Sequence, residues 1–139
     1  MLRKQAIQLM ILVTCIAFCA SMALARKFAL TASTKVPSAS GEINAKMGNN
    51  NNTEVDLTVR NLAKPGDLTP AANSYVVWFE EQGAPPQNMG ELRVNGKLKG
   101  QLKTVTPWKN FDVFITPETD PMVKEPTGEA VLRTKVQES

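Results

Sequence analysis

Apolar residues follow two different patterns along this chain, and the change falls near residue 25. From Ile7 to Ala20 the sequence is a nearly unbroken apolar run, interrupted by Gln8 and Thr14. Beyond it, apolar and polar residues alternate in short stretches divided by Pro, Gly and Asn. Val55, Leu57 and Val59 alternate with Asp56, Thr58 and Arg60. That period of two sets one face of a strand on a core and the other in water. Phe111–Thr116 repeats it, with Phe111, Val113 and Ile115 expected inward and Pro117 expected to stop the strand. Ser74–Phe79 is apolar at both parities, which predicts a central strand covered on each side.

The remaining stretches are shorter. Phe28–Leu30 and Glu42–Met47 read as edge strands of an N-terminal extension over residues 26–52, and Val131–Val136 as a last short strand. Gly90–Leu102 reads as a β-hairpin around Asn95-Gly96. A three-residue, bulged turn would set Val94 opposite Leu98 and gather Leu92, Val94, Leu98 and Leu102 on one side. The same register sends Lys97, Lys99 and Lys103 outward. Segments 63–73 and 117–130, rich in Pro, Thr, Asp and Gly, read as loops. No stretch beyond residue 25 shows helical periodicity. Six to eight short strands parted by turn residues predict an all-β, antiparallel β-sandwich over residues 53–139.

The N-terminal run has the three parts of an export signal, residues 1–25. Arg3 and Lys4 precede the apolar segment, and Ala23-Leu24-Ala25 supplies small residues for a peptidase cleft. The apolar part is expected as a signal helix. An uncleaved anchor over residues 5–25 is the alternative, since a bilayer span needs about 17–25 residues. Phe18 and Thr14 are poor neighbours for a lipidated Cys15 or Cys19, which argues against a lipoprotein. The expected location is therefore the bacterial periplasm or exterior, with the inner membrane as the alternative.

Cleavage after Ala25 changes the composition. It leaves 114 of the 139 residues, with neither Cys nor His. Lys plus Arg falls from 16 to 14 against 13 acidic residues, a net charge of about +1, so the compositional argument for nucleic-acid binding disappears. Without His or Cys there is no Ser-His-Asp triad, no thiolate nucleophile and no histidine metal site. Adjacent Glu80 and Glu81 diverge in an extended chain, whereas catalytic carboxylates converge across a substrate. Glu118, Asp120 and Glu125 share an oxygen-rich loop without calcium-loop spacing. Asn51-Asn52-Thr53 fits an N-glycosylation sequon, a chance match in a bacterial export context. No cofactor and no enzymatic activity are expected.

The candidates for partner contact are Lys97, Lys99, Lys103 and Trp108. Lys97, Lys99 and Lys103, with Arg93, form an outward basic stripe suited to an acidic partner or to anionic headgroups. Lysines also blunt an exposed strand edge against aggregation, which is the plainer reading of the same residues. Trp108 stands in a Pro-containing turn, where an aromatic ring either anchors a partner or closes the end of the core. Trp78 and Tyr75 read as core.

From about residue 53 to 136 the order of features resembles the extracytoplasmic C-terminal domain of anti-sigma-K factors. The residues that carry it are Val55, Leu57, Val59 and Leu62 before Pro65; Tyr75-Val76-Val77-Trp78; Gly90-Glu91-Leu92; Phe111 through Glu118; and Pro126-Thr127-Gly128 with Val131-Leu132. The resemblance implies an immunoglobulin-like sandwich outside the cytoplasmic membrane. Only Met1–Ala6 precede the apolar segment, so the family's cytoplasmic sigma-binding module has no counterpart here and sigma binding does not carry over. The expectation is an exported, non-enzymatic binding module for a protein or cell-envelope ligand, reaching membrane only through residues 5–25 if these are retained. A membrane-anchored envelope-sensing component is the alternative.

Overall fold

A computed structural model describes residues 24–138. The expected signal helix lies outside these residues. Among the described residues no helix is long and apolar enough to cross a membrane.

Among the described residues eight strands make up the fold: β1 (Arg26–Ala32), β2 (Ser40–Met47), β3 (Thr53–Arg60), β4 (Ser74–Glu80), β5 (Gln87–Leu92), β6 (Gly100–Thr106), β7 (Phe111–Glu118) and β8 (Leu132–Val136). All pairings are antiparallel, and the strands form one nearly closed sheet in the order β5-β4-β7-β8-β1-β2-β3-β6. A single 3-10 turn (Pro65–Asp67) interrupts the loop before β4.

Period-two patterning explains the core. Val55, Leu57 and Val59 of β3 are buried, as are Phe111, Val113 and Ile115 of β7. Side chains of this size each contribute about 1.5–3 kcal/mol when fully buried. They meet Ile43 and Ala45 of β2, Tyr75, Val77 and Phe79 of β4, and Leu132 and Val136 of β8 in one cluster. A second, smaller cluster lies on the other face of β4 and β7, where Val76, Trp78 and Phe114 are covered by Val123 and Ala130 of the β7–β8 loop. The two-faced apolar character of Ser74–Phe79 thus has two causes, the main core beneath and this loop above. Arg133 closes the outer cluster, its guanidinium 4.7 Å from the centre of the Phe114 ring.

Three expectations differ from the structure. β1 and β2, read as edge strands, lie inside the sheet. Arg26–Leu30 pairs with β2, while Thr31 and Ala32 pair with β8, so β1 joins the two halves of the sheet. Residues 26–52 therefore belong to the same sheet as the rest. The expected hairpin at 90–102 is not a ladder either. β5 pairs with β4 and β6 with β3, at opposite ends of the strand order, and residues 93–99 carry the chain from one to the other. The turn itself is one residue further on than expected: the Asn95 N–H donates to the Lys99 carbonyl at 2.9 Å, and Leu98, not Gly96, takes the left-handed conformation at φ +59°. Leu92 is buried, while Val94 and Leu102 are half-buried against the main core. Finally, Pro117 does not stop β7, which runs on to Glu118 because that side chain is drawn inward.

Candidate functional site

The structure separates the predicted contact residues. Lys97 and Lys99 are exposed in the β5–β6 turn. The Asn95 side-chain oxygen fixes that turn by accepting the N–H groups of Lys97 at 2.9 Å and Lys99 at 3.1 Å. Lys103 points outward from the middle of β6, 3.9 Å from Asp56 on β3. Arg93 is held by Glu91 at 3.2 Å. Trp108 follows the far end of β6, about 20 Å away by the rise of that strand, so it forms no joint surface with the turn lysines. Its ring is half-buried against the main core and tilted over Phe111, with centroids 6.5 Å apart. Its backbone is tied twice: the Thr53 hydroxyl donates to its carbonyl at 2.8 Å, and its N–H donates to Thr106 Oγ1 at 3.3 Å.

Beside Trp108 lies a cleft of about 310 Å³ that the sequence did not reveal. Phe28 from β1, Ala45 and Met47 from β2, and Val136 from β8 line its apolar part. Arg26, Lys46, Lys109 and Glu138 supply charge around it, and Leu24 stands at its mouth. The Lys109 ammonium donates to the Met47 sulfur at 3.1 Å and to the Asn51 carbonyl. Arg26 reaches the Gln137 carbonyl at 3.3 Å. The volume falls at the lower end of small-molecule sites, roughly 300–1,000 Å³. An apolar floor flanked by Arg26 and Lys109, which have no carboxylate within ion-pair distance among the described residues, suits a small apolar molecule bearing an anionic group. The sole signal in the sequence was the lysine next to Trp108. The other walls come from segments far apart in the chain, around residues 24–28, 45–53 and 136–138, and their convergence is set by the pairing of β1 between β2 and β8.

The perturbed ionisable groups lie elsewhere, Glu118 and Tyr75 in the packed interior and Glu129 in a surface ion pair. Glu118 is buried under the β7–β8 loop. Burial alone raises its carboxyl, but donors from the Thr116 hydroxyl, the Thr127 hydroxyl and N–H, and the Gly128 N–H outweigh that and hold it below the ordinary carboxylate value. Glu129 is lowered by its hydrogen bond with Lys35 and by the charge of that lysine, at 2.7 Å. Tyr75 is pushed up to about 12 by burial and then by the charge of Asp67, and its hydroxyl donates to the Ala63 carbonyl at 2.7 Å. Of the oxygen-rich loop, Glu118 turns inward and Asp120 accepts the Met122 N–H of its own turn at 2.9 Å. Glu80 stands opposite Asp112 across β4 and β7. Among the described residues no three acidic, His or Cys side chains converge as a metal site would require. In comparison with known proteins, no family model, no curated protein and no solved structure matches this chain.

Proposed function

We propose that this protein is an exported, non-enzymatic binding and interaction module of the bacterial cell envelope, with an immunoglobulin-like sandwich fold. One observation carries the reading: β1 begins at Arg26, directly behind Ala23-Leu24-Ala25, so the first strand of the described residues starts where the predicted mature chain starts. The chemistry of the chain supports it as well. An apolar signal-like segment precedes a Cys-free and His-free domain held together by packing and sheet hydrogen bonds. The split of the sheet into a β5–β4–β7–β8 half and a β1–β2–β3–β6 half around one main core supports the sandwich reading. The resemblance of residues 53–136 to anti-sigma-K outer domains supports the envelope. Rigid strands that present loops and an end cleft suit recognition.

The same observation also supports a second reading, a membrane-anchored envelope sensor. With no linker between Ala25 and β1, retention of residues 5–25 would hold the cleft end of the domain against the membrane. Intact mass of the native protein from fractionated cells distinguishes the two. A soluble species beginning at Arg26 supports the free module. A membrane-bound species that retains the N-terminal segment supports the sensor, and an unprocessed cytoplasmic species overturns both.

A further inference from the structure

The outward face of β1, β2, β3 and β6 pairs its charges between adjacent strands, directly opposite for Lys46–Glu54 and Lys103–Asp56 and diagonally for Lys27–Glu42. Lys27 lies 3.8 Å from Glu42, Lys46 lies 3.4 Å from Glu54, and Lys103 lies 3.9 Å from Asp56. The rule fails at one place. The β3–β6 register runs to Val59 opposite Gly100, and continuing it by one residue sets Arg60 beside Lys99. Two like charges opposite each other across a sheet are destabilising.

Loop contacts enlarge this basic corner. The Leu62 N–H donates to the Leu98 carbonyl at 3.1 Å, which locks the segment carrying Lys64 to the turn carrying Lys97. Arg60, Lys64, Lys97 and Lys99 are all exposed, and none has a carboxylate within ion-pair distance among the described residues. Segments 60–67 and 91–99 together hold five cations against two carboxylates, whereas the rest of residues 26–139 holds nine against eleven. Leu98 holds the turn at φ +59°, a left-handed conformation that non-glycine residues rarely adopt. The fold thus holds together a like-charged cluster that its own side chains leave uncompensated.

Next to the cluster is a strand edge without a second ladder partner, which approaches β5 where the sheet nearly closes. β6 ends the strand order and pairs on one side with β3. Along it Lys99, Gln101 and Lys103 recur every second residue, about 6.8 Å apart, the repeat of side chains on one face of an extended peptide. A strand laid on such an edge gains main-chain hydrogen bonds, and the alternate side chains select its sequence. Lysines along an edge repel basic strands, make pairing with uncharged ones costly because their charge must shed water, and favour an acidic one.

We propose that β6 and the Arg60–Lys64–Lys97–Lys99 corner dock an extended acidic segment of a partner protein, added as a strand to the β6 edge. This deepens the reading of the protein as a binding module and rests on it.

The test uses the protein as cells process it from the full-length coding sequence, labelled for amide NMR. The probe is a short synthetic peptide alternating Glu and Thr, with a Lys and Thr peptide and anionic phospholipid vesicles as comparisons. Amide shifts concentrated in residues 99–105, weakening with added salt and reduced about tenfold in affinity by Lys97→Glu with Lys99→Glu, support the proposal. The milder Lys97→Gln with Lys99→Gln pair lies between, so a misfolded reversal variant does not obscure the result. Equal binding by the reversal variant overturns the proposal, as do shifts confined to the cleft at Arg26 and Lys109, or binding of vesicles in place of the peptide. If the acidic peptide fails while cross-linking captures a partner on another surface, this docking site is wrong and the binding-module reading stands.

Discussion

The indole N–H of Trp78 donates to the hydroxyl of Thr116 at 2.8 Å in the interior, and that hydroxyl in turn donates to Glu118 at 2.6 Å. Two adjacent strands, β4 and β7, are thereby joined by a polar chain that ends on a buried carboxylate. The carboxylate then gathers Thr127 and Gly128 from the loop above. This chain fixes the loop that covers Val76, Trp78 and Phe114.

Glu118→Ala is expected to destabilise the fold by about 2–4 kcal/mol, since each buried donor left without an acceptor costs roughly 1–3 kcal/mol. Urea unfolding measures it. The same variant should raise the binding of a hydrophobic dye, because the loop over the Trp78–Phe114 cluster loses its anchor. A loss below about 1 kcal/mol would show that water replaces the carboxylate there.

The pH dependence of the same group has a definite sign. Its folded-state value lies below the ordinary carboxylate value of 4.5, so its stabilisation is fully present above that value. The stabilisation is lost as pH falls through the lower folded value. Wild type is therefore expected to lose stability in acid more steeply than Glu118→Gln, which has no proton to gain. Denaturation midpoints measured from neutral pH into acid compare the two slopes.

Tyr75 gives the opposite arm. It is the single tyrosine of the chain, and burial with the Asp67 charge raises it from 10.0 to about 12. Its contribution is present below pH 10 and is lost as pH rises through about 12. Tyrosinate absorbance reports this residue alone. It should appear near pH 12 in the native protein and near pH 10 in urea. Coincident titrations would mean that the hydroxyl is not held against the Ala63 carbonyl.

Gly128 tests the same loop by shape. A Cβ added there would sit 2.2 Å from the Pro117 carbonyl oxygen, a backbone atom that cannot rotate away. Gly128→Ala is expected to cost about 1–3 kcal/mol by overpacking, visible as a lowered thermal midpoint. Gly96→Ala, with nothing within 4 Å of its Cβ, should leave stability nearly unchanged.

Much of the strand content was legible locally. Val55–Val59 and Phe111–Ile115 announce a buried face by parity alone, because successive side chains on a strand point to opposite sides. The burial of Tyr75 and Trp78 followed from the apolar run around them. The exposure of Lys97, Lys99 and Lys103 followed from their offset against Leu92 and Leu102. Asn95-Gly96 located a turn, but one residue early: Asn95 serves through its side chain, which accepts from Lys97 and Lys99, and that bonding shifts the left-handed position to Leu98.

Partner choice was not legible. A strand's pattern says which face is apolar and says nothing of which edges it pairs. Gly90–Leu102 therefore looked like a hairpin although its two arms belong to opposite ends of the sheet. For the same reason Phe28–Leu30 looked peripheral, although β1 joins the two halves. The cleft shares this origin, as its walls meet through pairings between segments far apart in the chain.

By itself, then, the amino-acid sequence determined an all-β chain with alternating strands, a buried Ser74–Phe79, and a domain lacking the side chains of thiol and imidazole chemistry. The tertiary structure decided the strand order, the inward turn of Glu118, the cleft beside Lys109, and the meeting of Arg60 and Lys64 with Lys97 and Lys99. The physical reason is range. Side-chain parity and turn chemistry act between neighbours in the chain, whereas sheet order and charge clusters come from contacts that exist once the whole core has closed.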